Sequence, residues 1–375
     1  MLLSGTVWPA HLKPLPDELL SSWLVRLARA HSLKLHTFCS ITWPGKAMWN
    51  RDIDKSVDDE VLNVLARKTG TAIERVRQTA LADFEGMVYE KHNPYGNTRL
   101  ILSLGIYHRI HKGYGLQFCA ACLKDDEDPY FRRIWRLAFI TTCTIHNKTL
   151  LDRCPICEEP MNFHRNQYQD KSITICHICG EDMRDCAKYQ RTSYKQEIIF
   201  QKKLVYGIKD GWYVISDKEQ MYSILLFNVL RQIMKVLLVK HKELEGIMPY
   251  FIYELMPNDL EDNQIADIEK HDVIYRRALM LMVEWVLSDW PERFITVCKI
   301  KGIWSSTLLK DMKDIPYWYY SIVREHLYFP NYVVAEQEIN SVLKYLKGMN
   351  IPVSEKIVSQ LLGVNQVYRK RYNKY

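Results

Sequence analysis

Apolar residues recur at helical spacing towards both ends of the chain, and the middle breaks that rhythm. In DELLSSWLVRLARAH, residues 17–31, the side chains of Leu20, Trp23, Leu24, Leu27 and Ala28 fall on one stripe. The spacing predicts a helix, with Pro16 and Asp17 as its start signal. LKLHTFCSIT continues as a second helix that ends before Pro44. Residues 60–82 read as helix, tight turn, helix. Leu65 and Ala66 precede Gly70 at turn spacing, and Val76 follows where a second helix would pack. This is helix-turn-helix spacing. Glu74, Arg75, Arg77 and Gln78 would face outward, which makes Arg75 and Arg77 candidate contacts for nucleic acid or a partner. A plain helical hairpin has the same pattern.

Helical spacing resumes near residue 190. Ser216 and Glu219 have capping-box spacing before QMYSILLFNVLRQIMKVLLV. HDVIYRRALMLMVEWVLSDWPERF predicts a further helix, with Pro291 opening the next in its first turn. VVAEQEINSVLKYLKG predicts one more. The end, IPVSEKIVSQLLGVNQVYRKRYNKY, starts with Ser354 as N-cap and turns at Gly363. It is a second helix-turn-helix candidate, although the apolar spacing after the turn is off. Arg369, Lys370, Arg371 and Lys374 make this tail basic, either as a solvated end or as a contact for phosphates or a partner.

The middle is organised by cysteine. Four pairs share a two-residue spacer: Cys119 with Cys122, Cys143 with His146, Cys154 with Cys157, and Cys176 with Cys179. Two such pairs supply the four ligands of a tetrahedral Zn²⁺, so four pairs imply two structural zinc ions. Sequential pairing is preferred, because each intervening segment then reads as a short folded unit built on knuckles. The alternative is a cross-brace of first pair with third. Between the halves lie DPYFRRIWRLAFITT and the hairpin candidate MNFHRNQYQDKSIT. His177 reads as a knuckle residue and Cys186 as packing. Cys39 and Cys298 read as core. In the basic-aromatic run, Trp135 is expected to pack. Arg132, Arg133 and Arg136 are candidate contacts for nucleic acid or a partner. Residues 147–153, NKTLLDR, form the hinge between the sites.

Composition narrows the function. The chain has 375 residues, 47% of them hydrophobic, which suits a globular protein of two or three domains. Boundaries near 110 and 190 divide it into an N-terminal helical domain (1–110), a tandem two-zinc domain (111–190) and a C-terminal helical domain (191–375), a mainly α fold overall. A net charge of +7 permits a nucleic-acid partner without demanding one. The opening residues have no basic start followed by a long apolar run, so no signal peptide is expected. Polar residues interrupt the apolar stretches, so no membrane span is expected. Ten cysteines in a cytoplasmic protein read as metal ligands or core residues before disulfides. The P-loop, G-x-S-x-G and H-E-x-x-H motifs are absent; SITWPGKA at 40–47 lacks the first glycine and the hydroxyl after Lys46.

The order of motifs resembles the TniQ family of transposon target-selection proteins. It runs DELLSSWLVRLARAH, CAAC, YFRRIWRLAFITTCTIH, LLDRCPIC, CHICG and later DWPERF. The likeness is clearest over the first 190 residues. It implies a bacterial, non-catalytic adaptor, cytoplasmic and associated with the nucleoid during targeting. Such an adaptor links a targeting device to an AAA+ ATPase regulator that recruits the transposase. In one branch the device is an RNA-guided CRISPR complex of the Cascade type, and a head-to-tail homodimer is expected. In the other, the protein reads an attachment site in target DNA directly. The moderate charge and the imperfect terminal helix-turn-helix favour the first branch.

Overall fold

The computed structural model describes residues 5–166, 172–216, 219–240, 246–249, 252, 254–255, 267–328 and 334–364. The described chain is mainly helical, with three two-stranded antiparallel hairpins. It forms two compact units that divide between Leu327 and Tyr328. The composition changes near residues 110 and 190 both fall inside the first unit.

The first unit opens with α1 (Leu20–Ala30) and α2 (Leu35–Thr42). The stripe Leu20, Trp23, Leu24, Leu27 and Ala28 is buried as its spacing requires. The helix starts three residues later than Pro16 and Asp17 predict. Asp17 has a positive φ of 56°, and its carboxylate accepts from the Ile134 N–H at 3.1 Å instead of capping α1. Glu18 is buried beside Arg26, their charged atoms 2.7 Å apart. Burial pushes the Glu18 carboxyl up to about 7 although Arg26 pulls it down. The short α3 (Ile53–Ser56) leads to α4 (Asp59–Thr69), which Asp58 caps by accepting from the Val61 N–H. Gly70, at φ 62°, turns the chain into α5 (Ile73–Arg77).

Helices also close the first unit. They are α7 (Lys195–Asp210), α8 (Ser223–Lys240), α9 (Val273–Leu287), α10 (Glu292–Ile300), α11 (Ser305–Leu308) and α12 (Tyr317–His326). No helix starts after Ser216 where a capping box is expected. Strands β5 (Trp212–Ser216) and β6 (Glu219–Tyr222) form a hairpin there, and α8 starts only at Ser223. The reason is local alternation: Trp212 and Tyr222 pair across the strands with ring centroids 4.1 Å apart, while Tyr213 and Met221 face the core. The helix expected over 271–294 is α9 with Asp272 as its cap, and Pro291 stands immediately before α10.

Between these ends the chain is irregular yet deeply buried. Residues Arg136 to Cys143 are all less than 5% exposed. Only Thr142 and Cys143 pair in a short hairpin and no long helix or sheet runs through the segment, so side chains from distant elements satisfy much of its backbone. Gln117 Nε2 donates to the carbonyls of Trp135 (2.7 Å) and Ile140 (3.1 Å). Gln201, on α7, accepts from the N–H groups of Thr141 and Thr142 and donates to the Phe139 carbonyl. Arg276, on α9, donates to the Ala138 carbonyl at 2.8 Å and to Gln117 Oε1 at 3.0 Å. Burial pulls Arg276 down to about 10 against the pull of Asp152 and Asp272.

The second unit holds α13 (Glu336–Gly348) and α14 (Glu355–Leu361), packed through Val334, Ile339, Leu346 and Val358. Ser354 caps α14, accepting from the Ile357 N–H at 3.3 Å, and Gly363 turns at φ 67°. The second half of the terminal helix-turn-helix candidate lies outside the described residues, as do Arg369, Lys370, Arg371 and Lys374.

Gln201→Leu removes one acceptor and one donor from three buried backbone groups. At about 1–3 kcal/mol for each orphaned group, the expected loss is at least about 3 kcal/mol. Chemical denaturation of the purified chain measures it; a loss below about 1 kcal/mol contradicts the arrangement.

Candidate metal centres

The first cluster is assembled from three directions. Phe118 and Leu151 exchange both backbone hydrogen bonds, at 2.8 and 2.9 Å, which fixes where Cys119 leaves the core. Cys119 is the N-cap residue of α6 (Ala120–Asp125), so Cys122 lies in the first helical turn. Sequence spacing predicts a knuckle here, and the structure has a helix start: the run AACLKD after Cys119 is good helix material. The other half is a knuckle. Cys143 ends β3 (Thr142–Cys143), which pairs with β4 (Lys148–Thr149), and Asn147 closes the turn at φ 55° with its N–H on the Cys143 carbonyl.

Both halves of the second cluster are knuckles. Glu158 (φ 61°) and Gly180 (φ 77°) follow Cys157 and Cys179 and donate to the carbonyls of Cys154 and Cys176. Cys154 and Cys176 in turn donate to the carbonyls of Glu159 and Glu181. These bonds point the sulfurs of each pair to one side. Phe163–Arg165 forms a 3-10 turn, while 167–171, the middle of the expected 161–174 hairpin, lies outside the described residues.

Two groups of four result, and they are the sequential pairs: Cys119, Cys122, Cys143 and His146; then Cys154, Cys157, Cys176 and Cys179. The cross-brace is not formed. Within each group all donor atoms lie within 4.8 Å of one another. Cys122 and Cys143 sulfurs are 3.5 Å apart, and the Cys154–Cys179 and Cys157–Cys176 sulfurs are 3.6 Å apart. His146 Nδ1 lies 3.7, 3.2 and 3.7 Å from the sulfurs of Cys119, Cys122 and Cys143. A tetrahedral ion with zinc-like bond lengths sets sulfur atoms about 3.8 Å apart and sulfur from nitrogen about 3.6 Å. Both groups have the right donors at that spacing and could each hold such an ion.

The surroundings differ. The first group has its cysteines buried, and the His146 Nε2–H donates to Asp125 Oδ2 at 2.8 Å, leaving Nδ1 to face the sulfurs. Gln190 Oε1 accepts from the Ala121 N–H at 3.3 Å and lies 3.7 Å from the Cys119 sulfur. In the second group Cys179 is exposed. No motif spacing marks Asp125 or Gln190; only folding brings them in. The segment between the clusters is a strap and not a hinge. Lys148 and Thr149 are in β4, Leu151 pairs with Phe118, and Asp152 accepts from the Val273 N–H at 2.7 Å at the start of α9. Cys39, Cys186 and Cys298 are buried away from both groups, and His177 is half-buried in its knuckle.

The arginines of the basic-aromatic run are not a surface. Trp135 is 3% exposed and packs in the core. Arg136 is wholly buried and bonds Asp52, Asp54 and the Leu102 carbonyl. Arg132 pairs with Asp126, and Arg133 with Asp17 and Asp83. Each finds a carboxylate that sequence spacing could not pair with it, and the pairs of Arg133 and Arg136 tie the N-terminal region to the cysteine region. Arg75 is exposed, but donates to the Pro14 carbonyl at 2.7 Å. Arg77 is exposed, 3.4 Å from Asp59.

Two outcomes are expected. The purified chain holds two zinc ions by elemental analysis; Cys179→Ser leaves a folded chain with one, whereas Cys122→Ser prevents folding because its cluster is part of the core. Arg136→Ala strands Asp52 and Asp54 and lowers stability by about 3–5 kcal/mol in chemical denaturation, while Arg77→Ala changes it by less than about 0.5 kcal/mol.

Among curated proteins, none matches this chain. The family model TniQ matches residues 9–151, a stretch that runs from the N-terminal helices through all four residues of the first cluster.

Proposed function

We propose that the protein is a non-catalytic target-selection adaptor of DNA transposition, with structural zinc in both cysteine clusters. In this reading it links an RNA-guided Cascade-type CRISPR complex on target DNA to an AAA+ ATPase regulator, and acts as a head-to-tail dimer. The TniQ match over residues 9–151 carries the proposal. The closed donor sets support it, because a catalytic zinc keeps a position open and each cluster here has four protein ligands. The strapped, ion-paired framework suits a scaffold that holds surfaces for partners.

The alternative is direct reading of an attachment site. It draws on α4, Gly70 and α5, but α5 has only five residues, and Arg75 is held by Pro14. A recognition helix needs length and free side chains to reach base edges in the major groove. These features support the adaptor reading over the direct one.

Affinity purification tests it. The tagged chain is expected to retain the guide complex, and the ATPase in the presence of ATP, while giving no footprint on naked duplex. A footprint on one duplex sequence without guide RNA selects the alternative, and retention of neither partner overturns the adaptor reading.

A further inference from the structure

A recess of about 670 Å³ opens beside the hairpin of β1 (Ile106–Tyr107) and β2 (Ile110–His111). Its walls are His36, Asn50, His108, Arg109, His164 and Arg165. Among the described residues no carboxylate lines it. Arg109 Nε donates to Asn50 Oδ1 at 2.8 Å, which leaves the rest of its guanidinium free, and Arg165 has no side-chain partner among the described residues. His164 is buried, stacked on Trp49 at 4.9 Å, with its Nε2 3.1 Å from the Arg109 carbonyl. Burial lowers the pKa of His36, and the charges of Arg109 and Arg165 lower it further. Both guanidinium charges therefore reach into this recess, and among its described lining residues there is no carboxylate to answer them.

The hairpin itself is shaped for this crowding. Tyr107 pairs with Ile110, so His108 and Arg109 alone make the turn, at φ 48° and 65°. Two-residue turns of this kind favour asparagine and glycine at those positions. Here a histidine and an arginine occupy them, and such backbone outliers concentrate at binding sites. Across Asn50 a second recess begins, lined by Arg51, Tyr95 and Arg99 among others. The Arg51 guanidinium lies over the Tyr95 ring at 4.6 Å, and Tyr95 is 72% exposed. The carboxylates in this second recess are already engaged: Asp52 by Arg136, Asp267 by Lys270 and Glu269 by Arg231.

We infer that the two recesses form a binding track for a single nucleic-acid strand, with a backbone phosphate in the first recess between Arg109 and Arg165 and a base stacked on Tyr95. A cationic recess suits a phosphodiester, and an exposed ring next to it suits the flat face of any base. A duplex keeps its bases stacked inside and cannot use Tyr95. No residue of α5 lines the track, and the track does not depend on the adaptor reading.

Fluorescence anisotropy of the full chain with short labelled oligothymidylate, oligouridylate and a duplex of equal length tests it. Both single strands are expected to bind more tightly than the duplex; a preference between them names DNA or RNA as the natural strand. Arg165→Glu is expected to weaken single-strand binding about tenfold and to lower the salt slope by about one. Tyr95→Ala is expected to weaken it about tenfold, and Lys209→Glu, an equal charge change on α7, to leave it unchanged. The proposal is overturned if the duplex binds best or no strand binds. It is also overturned if Lys209→Glu costs as much as Arg165→Glu. Full competition by millimolar inorganic phosphate with no effect of Tyr95→Ala reduces the recess to a lone phosphate site and also overturns it. Unchanged melting of each variant shows that the loss is one of binding. None of these readings uses the guide complex or the ATPase, so they stand whatever the affinity purification finds.

Discussion

The first unit depends on keeping an irregular polypeptide segment dry. Residues 136–143 run through the core without the hydrogen-bond ladder of a helix or a long sheet. Every buried N–H and C=O there needs a partner from elsewhere. Gln117, Gln201 and Arg276 supply several of them from before the first cluster, from α7 and from α9. The dependence is mutual. The two helical ends are joined through this segment, and the segment survives burial only because both ends reach it. This explains why one core runs from Trp8 to Leu327 and why the cysteine region is not an appended module.

Ion pairs extend the same logic. Arg132, Arg133 and Arg136 leave the run one after another, and each reaches a different carboxylate. A buried pair of this kind adds little net stability over an apolar pair of the same shape, but breaking one side is costly. Such a network penalises wrong registers of the N-terminal helices against the cysteine region. Asp54 shows the cost of that role. Burial and the neighbouring Asp52 push its carboxyl up to about 7 against the pull of Arg136, and it is held in place by the Ser21 N–H and hydroxyl.

What could be read in the sequence was what is local. The two-residue spacers defined the four ligand pairs, and the 3.6-residue rhythm located α1, α4, α8, α9 and α13 to within a few residues. The errors arose where a distant residue decides. Asp17 looks like a helix start and is drawn to Ile134 and Arg133 instead. Ser216 and Glu219 look like a cap, but cross-strand packing of Trp212 and Tyr222 makes a hairpin. The three arginines look like a surface because their carboxylates lie up to 116 residues away. Cys119 and Cys122 look like a knuckle because spacing cannot distinguish a turn from the first turn of a helix. Asp125, the partner of His146, carries no motif at all.

The one histidine among the eight candidate ligands has a consequence for where each centre could hold an ion. A divalent ion held by three thiolates and an imidazole leaves one net negative charge; four thiolates leave two. The interior tolerates the smaller charge far better, since the solvation lost on burial grows steeply with charge. The centre containing His146 is the one enclosed by the core, next to the N-terminus of α6. The centre made only of cysteines keeps Cys179 in contact with water. Exchanging His146 for a fourth thiolate would preserve the tetrahedron and still place an unscreened charge in the interior.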